Sequence, residues 1–184
     1  MGKTGPGGGI VFYVAPEPFA STGSDCGAAC RYLEISPTLH FSDPWCSNTT
    51  EHLGVTAAGI GWGMYNTMWA RKTCTSGAIK VAADYTNNGK TDWFLPSRDE
   101  LNELCKYART QTTGTTSTNC ANFSNNRLFS PKYYWSSTEI SQGVCLNTDN
   151  PNYILWVWAW SVDNPRLLCV GKSSSVGMVE VRAF

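Results

Sequence analysis

Charge of one sign is missing from this chain. Its 184 residues carry 14 basic and 14 acidic side chains, a formal net charge of zero. Without a basic excess there is no electrostatic footprint for a phosphate backbone, which argues against nucleic acid as a partner. Charged residues are also scarce, at 15% against 42% hydrophobic, and that ratio excludes a disordered chain. No apolar run approaches the roughly 20 residues that cross a bilayer, so membrane insertion is not expected. No secretory leader is read at the start, because Met1-Gly2-Lys3-Thr4-Gly5 leads into glycines and not into an apolar segment. Catalytic signatures are lacking too: there is no nucleophile elbow and no phosphate loop. Gly7-Gly8-Gly9 precedes a strand, whereas phosphate loops follow one and open a helix. His40 and His52 are the only histidines, and they read as surface or structural residues. The chain is not read as an enzyme.

What is present fits a single domain spanning residues 1–184. The order of elements is a strand, short helices in the first half, then a strand-rich second half, which indicates α+β. Ile10 to Val14 and Arg31 to Ile35 read as strands, with residues 16 to 30 as loop. Met64 to Lys72 and Gly77 to Tyr85 read as helices. Asn87-Asn88-Gly89-Lys90 is a turn signal. Ser97 and Glu100 form a capping box, and Leu101, Leu104, Cys105 and Ala108 follow helical spacing, predicting a helix from Arg98 to about Arg109. Tyr133 to Ser137, Ile154 to Val162, Leu167 to Val170 and Met178 to Phe184 read as strands.

The cysteine count is eight, and an even number suits disulfides in an oxidising setting. The expected pairings are Cys26–Cys30, Cys46–Cys74 and Cys105–Cys120; reduced, buried thiols are the alternative. A zinc reading of Cys26, Cys30, His40 and Cys46 matches no compact module.

Four ordered segments together carry a resemblance: Gly5 to Val14, Asn88 to Asn102 with Trp93-Phe94-Leu95-Pro96-Ser97-Arg98-Asp99-Glu100 within it, Tyr134 to Glu139, and Val181-Arg182-Ala183-Phe184. They are similar to the bacterial and viral domain family that includes the C-terminal domain of collagen-like adhesins. The resemblance runs from end to end. It implies a C-type lectin-like fold in its formylglycine-generating-enzyme-like branch, with the N- and C-terminal strands paired and Trp93 and Trp135 in the core. The closely spaced cysteines of those enzymes are not matched by Cys145 and Cys169, so that activity is not carried over. The calcium-dependent sugar motifs of animal lectins are missing as well, Asn150-Pro151-Asn152 being a distant echo. No cofactor is expected beyond a structural Ca²⁺ held by Asp149 or Asp163.

One subset of the family is the variable proteins of diversity-generating retroelements, for which an archaeal virus is one source. In them, adenine-directed mutagenesis rewrites Asn codons near the C-terminus while a rigid scaffold holds. Residues 140–155 and 166–177 mix Leu, Cys, Val, Gly, Ser, Asn and Tyr without periodicity. Only Gln142 and Lys172 there lie outside the set that mutated Asn codons reach. Met178-Val179-Glu180 stands where family members commonly read Val-Arg-Pro.

The implied function is ligand recognition through a variable region of about 140–177. The contact residues expected are Ser141, Gly143, Asn147, Asp149, Asn152, Tyr153, Leu155, Trp160, Arg166, Leu168, Val170, Ser173, Ser174 and Ser175. Trp156, Trp158 and Trp160 share one strand face, with the first two expected in the core and Trp160 free. The partner expected is a host surface protein or glycan, met from a virion, extracellular or cell surface. Two alternatives remain: an invariant adhesin domain binding sulfated glycans through Arg166, Lys172 and Arg182, or a structural fibre tip.

Overall fold

The computed structural model describes residues 1–38, 40–113, 133–141, 154–161 and 166–184. They form an α+β domain with three helices and two open sheets. One sheet has the order β1 (Ile10–Phe19), β2 (Cys30–Ile35), β8 (Val181–Ala183). The other has the order β3 (His40–Asp43), β7 (Val176–Met178), β4 (Tyr133–Glu139), β5 (Trp156–Ser161), β6 (Arg166–Gly171). Pairing is antiparallel except between β4 and β7.

The first and last strands share a sheet without pairing to each other, which corrects the expectation. β2 lies between them, with Leu33 opposite both Tyr13 and Ala183. The cause is burial. Leu33, Glu34 and Ile35 are buried and need a neighbour on each side, whereas β1 exposes Ile10 and Val14 and carries two register shifts, as an edge strand can. β1 also runs on to Phe19, through what reads in the sequence as loop.

The run from Met178 to Phe184 is two strands, not one. Met178 pairs with His40 in the larger sheet, and Val181 pairs with Ile35 in the smaller. Between them the Glu180 carboxylate turns inward, accepting a hydrogen bond from Ser36 Oγ at 2.7 Å and pairing with His40 Nδ1. This pair gives the unexpected Met-Val-Glu sequence a structural role, because Glu180 fastens β3 to the point where the chain changes sheets.

The helices follow local signals. α1 (Trp62–Ala70) and α2 (Ala78–Asp84) are short, and α3 (Arg98–Thr113) runs four residues past the expected end. The capping box forms as read: Ser97 N–H donates to Glu100 Oε2 at 2.7 Å, and Glu100 N–H donates to Ser97 Oγ at 3.3 Å. Leu101, Leu104, Cys105 and Ala108 are buried along one face. The Asn87–Lys90 turn closes with Asn88 and Gly89 both at positive φ, the type I′ signature.

The larger sheet separates two apolar cores. Tyr134 and Trp160 face the first, with Phe12, Leu33, Phe94, Leu104 and Val181. Trp135, Val157, Ala159 and Met178 face the second, with Trp45, Ile79 and Leu95. Trp93 and Trp135 are buried, as expected of core residues. Cys26–Cys30 and Cys46–Cys74 are disulfides. That removes the zinc reading, since a disulfide sulfur is no thiolate ligand, and His40 is engaged by Glu180. No cluster of three metal-ligating side chains occurs among the described residues. Cys105 is disulfide-bonded, and the expected partner Cys120 lies outside the described residues. No described helix is long and apolar enough to cross a membrane.

Candidate ligand-binding surface

β6 is an edge strand hydrogen-bonded along its inner side to β5. Directly opposed residues share a face of the sheet. Leu168 lies opposite Ala159 and Val170 opposite Val157, so both lie on the face of the second core. Leu167 and Cys169 lie opposite Trp160 and Trp158, on the face of the first. Among the described residues β6 pairs with β5 alone, and Leu167, Leu168, Cys169 and Val170 are half-buried.

The three β5 tryptophans share a face as expected, but the exposure is reversed. Trp160 is buried at 6% exposure, whereas Trp156 and Trp158 are half-buried. The reason is where cover is available. Trp160 sits opposite Tyr134 and Leu167 and joins the first core. Trp158 is met from above by the Arg98 guanidinium, 5.9 Å from its ring centroid. Trp160 is therefore withdrawn as a contact residue.

Beyond β6 the chain turns through Gly171–Ser174, closed by Ser174 N–H to Gly171 O at 2.9 Å. Ser173 and Ser175 are exposed and Ser174 is half-buried. Lys172, in the middle of this turn, is 1% exposed. Its Nζ reaches Glu139 Oε1 at 2.5 Å and the Glu51 carbonyl, and lies 5.2 Å from the Trp45 ring centroid. Its backbone is held as well: Lys172 N–H donates to Leu155 O at 2.8 Å, and Trp45 N–H donates to Lys172 O at 2.9 Å. Glu139 in turn accepts Leu53 N–H and Val55 N–H at 2.9 and 3.1 Å, with His52 Nε2 at 3.7 Å. The exposed serines thus follow a buried ion pair that fixes the turn to the end of β4 and to the 51–55 strap.

On the other side of the surface, Ser141 is exposed, next to Ile140, which is buried and donates its N–H to Trp156 O at 3.2 Å. Leu155 is half-buried. Gly143, Asn147, Asp149, Asn152 and Tyr153 lie outside the described residues, as does Asp163, so the calcium reading falls there too. Arg166 opens β6 at the position opposite Ser161. The structure therefore brings Ser141, Leu155, Leu168, Val170 and the serine turn to the β4–β5–β6 end of the larger sheet.

Two further carboxylates do what Glu139 does. Glu34 accepts Gly7 N–H and Gly9 N–H at 2.9 and 3.0 Å and meets Arg182 Nη1 at 3.2 Å. A Cβ on Gly9 would come within 2.2 Å of Ile35 O, so only glycine fits there. Arg182 also bonds Asp92 and Asp25. Glu100 accepts Gly61 N–H at 2.7 Å as well as Ser97 N–H. Burial pushes the Glu100 carboxyl up to about 7 despite these donors. His40 is raised from its ordinary value by its hydrogen bond to Glu180.

A second surface was not read from the sequence. Trp62, Tyr65, Met68 and Trp69 on α1 are all exposed. Their i, i+3, i+6, i+7 spacing was the available signal, but a helix begun at Met64 leaves out Trp62 and hides the stripe. In comparisons with known proteins, no family model and no curated protein matches this chain.

Proposed function

We propose that this chain is a ligand-recognition domain with a C-type-lectin-like fold, whose residues from about 140 to 177 are diversified by a retroelement and contact a host surface protein or glycan. The observation that carries the reading is the contrast at position 172. Lys172 is buried and bonded, while Ser173 and Ser175 beside it are exposed. Mutated Asn codons reach serine and not lysine. The one residue between Arg166 and Gly177 that such variation cannot supply is the one the scaffold needs. Identity is free where side chains face water and fixed where the turn is anchored, which is what a rigid display surface requires.

The α+β architecture supports the lectin-like reading, as do chain ends that lie in one sheet, where Arg31 and Tyr32 N–H donate to Phe184 O at 2.9 Å. The disulfides fit an oxidising, extracellular setting, and the display site proposed is a virion or cell surface. The sulfated-glycan alternative loses ground, because Lys172 and Arg182 are buried and ion-paired and offer no charge to a sulfate.

The test is binding of the labelled chain to intact host cells. Leu168→Ser with Val170→Ser is expected to abolish it, at less than half the loss of melting temperature caused by Lys172→Ser. Full retention of host-cell binding by that double variant refutes the assignment of the surface. A near-copy of codons 140 to 184, differing at adenines and lying beside a reverse transcriptase gene, is the expected genomic companion.

A further inference from the structure

α1 is inverted. Its buried side consists of Gly63, Met64, Asn66, Thr67 and Ala70, while its solvent side carries Trp62, Tyr65, Met68 and Trp69 at 40–48% exposure. An amphipathic helix normally does the reverse. The inside is polar for identifiable reasons. Thr67 Oγ1 donates to Gly63 O at 2.8 Å and accepts Leu95 N–H at 3.0 Å, and Asn66 Nδ2 donates to Ala57 O at 2.7 Å. A Cβ at Gly63 would lie 2.2 Å from Glu100 Oε2, so the helix seats directly on the α3 cap. None of this requires the outside to be aromatic.

The exposed rings are ordered against one another. Tyr65 and Trp69 are stacked nearly parallel, 17° apart with centroids at 6.1 Å. Trp62 stands at 89° to Tyr65 with centroids at 5.6 Å. Trp69 is held by its Nε1–H bond to Leu53 O at 3.2 Å and by Lys72 Nζ, 4.0 Å from its ring centroid. The three rings are thus held against one another, and Trp69 against Leu53, before any ligand arrives, which limits the entropy lost on binding.

We propose that this aromatic shelf on α1 is a constant binding site for a neutral pyranose glycan. The proposal rests on the reading of the chain as a recognition domain, but not on the β5–β6 surface. Three aromatic side chains and a methionine, each a little under half exposed, present roughly 300–400 Å². A stable protein interface takes about 800 Å² from each partner, so a second copy or a folded protein is too large an occupant for this patch alone. The outer face of a helix is convex, whereas a bound peptide segment takes a groove or a sheet edge. Charge is nearly absent. α1 holds no acid or base, Arg71 beyond its end is paired with Asp84 at 3.2 Å, and Lys72 lies over Trp69. An uncharged ligand with flat C–H faces and hydroxyl edges matches exposed rings rimmed by the Trp62 indole N–H and the Tyr65 phenol O–H. Saccharide rings have that chemistry.

The experiment uses the full chain on an array of neutral glucose, galactose, mannose and N-acetylglucosamine oligosaccharides, followed by calorimetric titration of the best binder. Three variants are compared with the native chain. Trp62→Gln with Trp69→Gln is expected to weaken binding about tenfold or more. Trp62→Phe with Trp69→Phe keeps ring faces and is expected to stay within about threefold of native. Leu168→Ser with Val170→Ser is expected to keep the sugar even if it loses host cells, which separates failure of this site from failure of the β5–β6 surface. Should the double glutamine variant melt early, Tyr65→Gln, which leaves the Trp69–Leu53 bond in place, reads the same loss. A native chain that retains none of these sugars overturns the proposal. So does sugar binding that survives the α1 substitutions, or α1-dependent binding to phosphatidylcholine–phosphatidylglycerol vesicles with no sugar bound.

Discussion

Replacing Lys172 with serine introduces the residue type of the three positions that follow it, and yet it should be among the most damaging substitutions in the turn. The Lys172 ammonium is fully buried against the fully buried Glu139 carboxylate. Serine cannot reach Glu139, so the carboxylate keeps its Leu53 and Val55 N–H donors but loses its countercharge. Removing one partner of a buried pair costs about 3–5 kcal/mol, because a charge is left uncompensated. In a domain of this size each kcal/mol moves the melting temperature by about 2–4 °C, which puts the fall near 10 °C. Ser173→Tyr and Ser175→Tyr, at exposed positions, should each stay within about 0.5 kcal/mol. Differential scanning calorimetry on the three variants reads the contrast. A cycle through Glu139→Gln and Lys172→Met should show the double variant losing less than the sum of the singles. The reasoning is refuted if Lys172→Ser melts within about 3 °C of the native chain, or if the two exposed serines prove as sensitive as Lys172.

Two further outcomes follow from burial and charge. Trp160→Ala should cost about 3–5 kcal/mol and Trp158→Ala clearly less, since the first empties a site in the core and the second removes a half-buried ring from beneath Arg98; equal losses in urea titrations would contradict the reversed exposure of β5. For Glu100, the folded value of about 7 lies above the ordinary 4.5, so the native state binds more protons between these values and stability falls as pH rises. The contribution is fully present below about 4.5 and lost as pH passes 7, at most about 3 kcal/mol. His40, also raised, adds to the same slope. Glu100→Gln should flatten the melting temperature between pH 5 and 8, and an unchanged slope would remove Glu100 as its source.

The parts of the fold that were legible in the sequence are those fixed within a few residues of themselves. The Ser97–Glu100 box and the Asn88-Gly89 turn need only their own neighbours, and both form as read. The Cys26–Cys30 disulfide spans four residues and forms as expected; Cys46–Cys74, also as expected, is the exception, spanning 28. The parts that misled are those decided across the chain. Apolar spacing in β5 states correctly that Trp156, Trp158 and Trp160 share a face, but which of them is covered depends on Tyr134 and Leu167. The stretch Met178 to Phe184 has strand composition throughout; its break at Glu180 depends on Ser36 and His40, more than 130 residues away. Of the candidate surface, Ser173 and Ser175 are exposed, whereas Leu168 and Val170 are half-buried on the face of the second core. The role of Lys172 was hidden because lysine is ordinarily a surface residue.

The buried glutamates show why so much irregular chain can be held still. Among the described residues, Glu34, Glu100 and Glu139 accept the backbone N–H groups of Gly7, Gly9, Gly61, Ser97, Leu53 and Val55. None of these six belongs to a helix or a named strand. A buried backbone N–H without a partner carries a desolvation cost comparable to a lost hydrogen bond, and a loop has no ladder in which to find one. An apolar residue at any of these positions would pack, but it would leave two donors unanswered. A carboxylate answers both at once, with Arg182 and Lys172 balancing two of the three charges. Loops closed in this way depend on side chains of the scaffold, not on the residues at their exposed positions. Under the proposed function, that independence is what lets the exposed positions of the 171–175 turn differ in identity while its backbone stays in place.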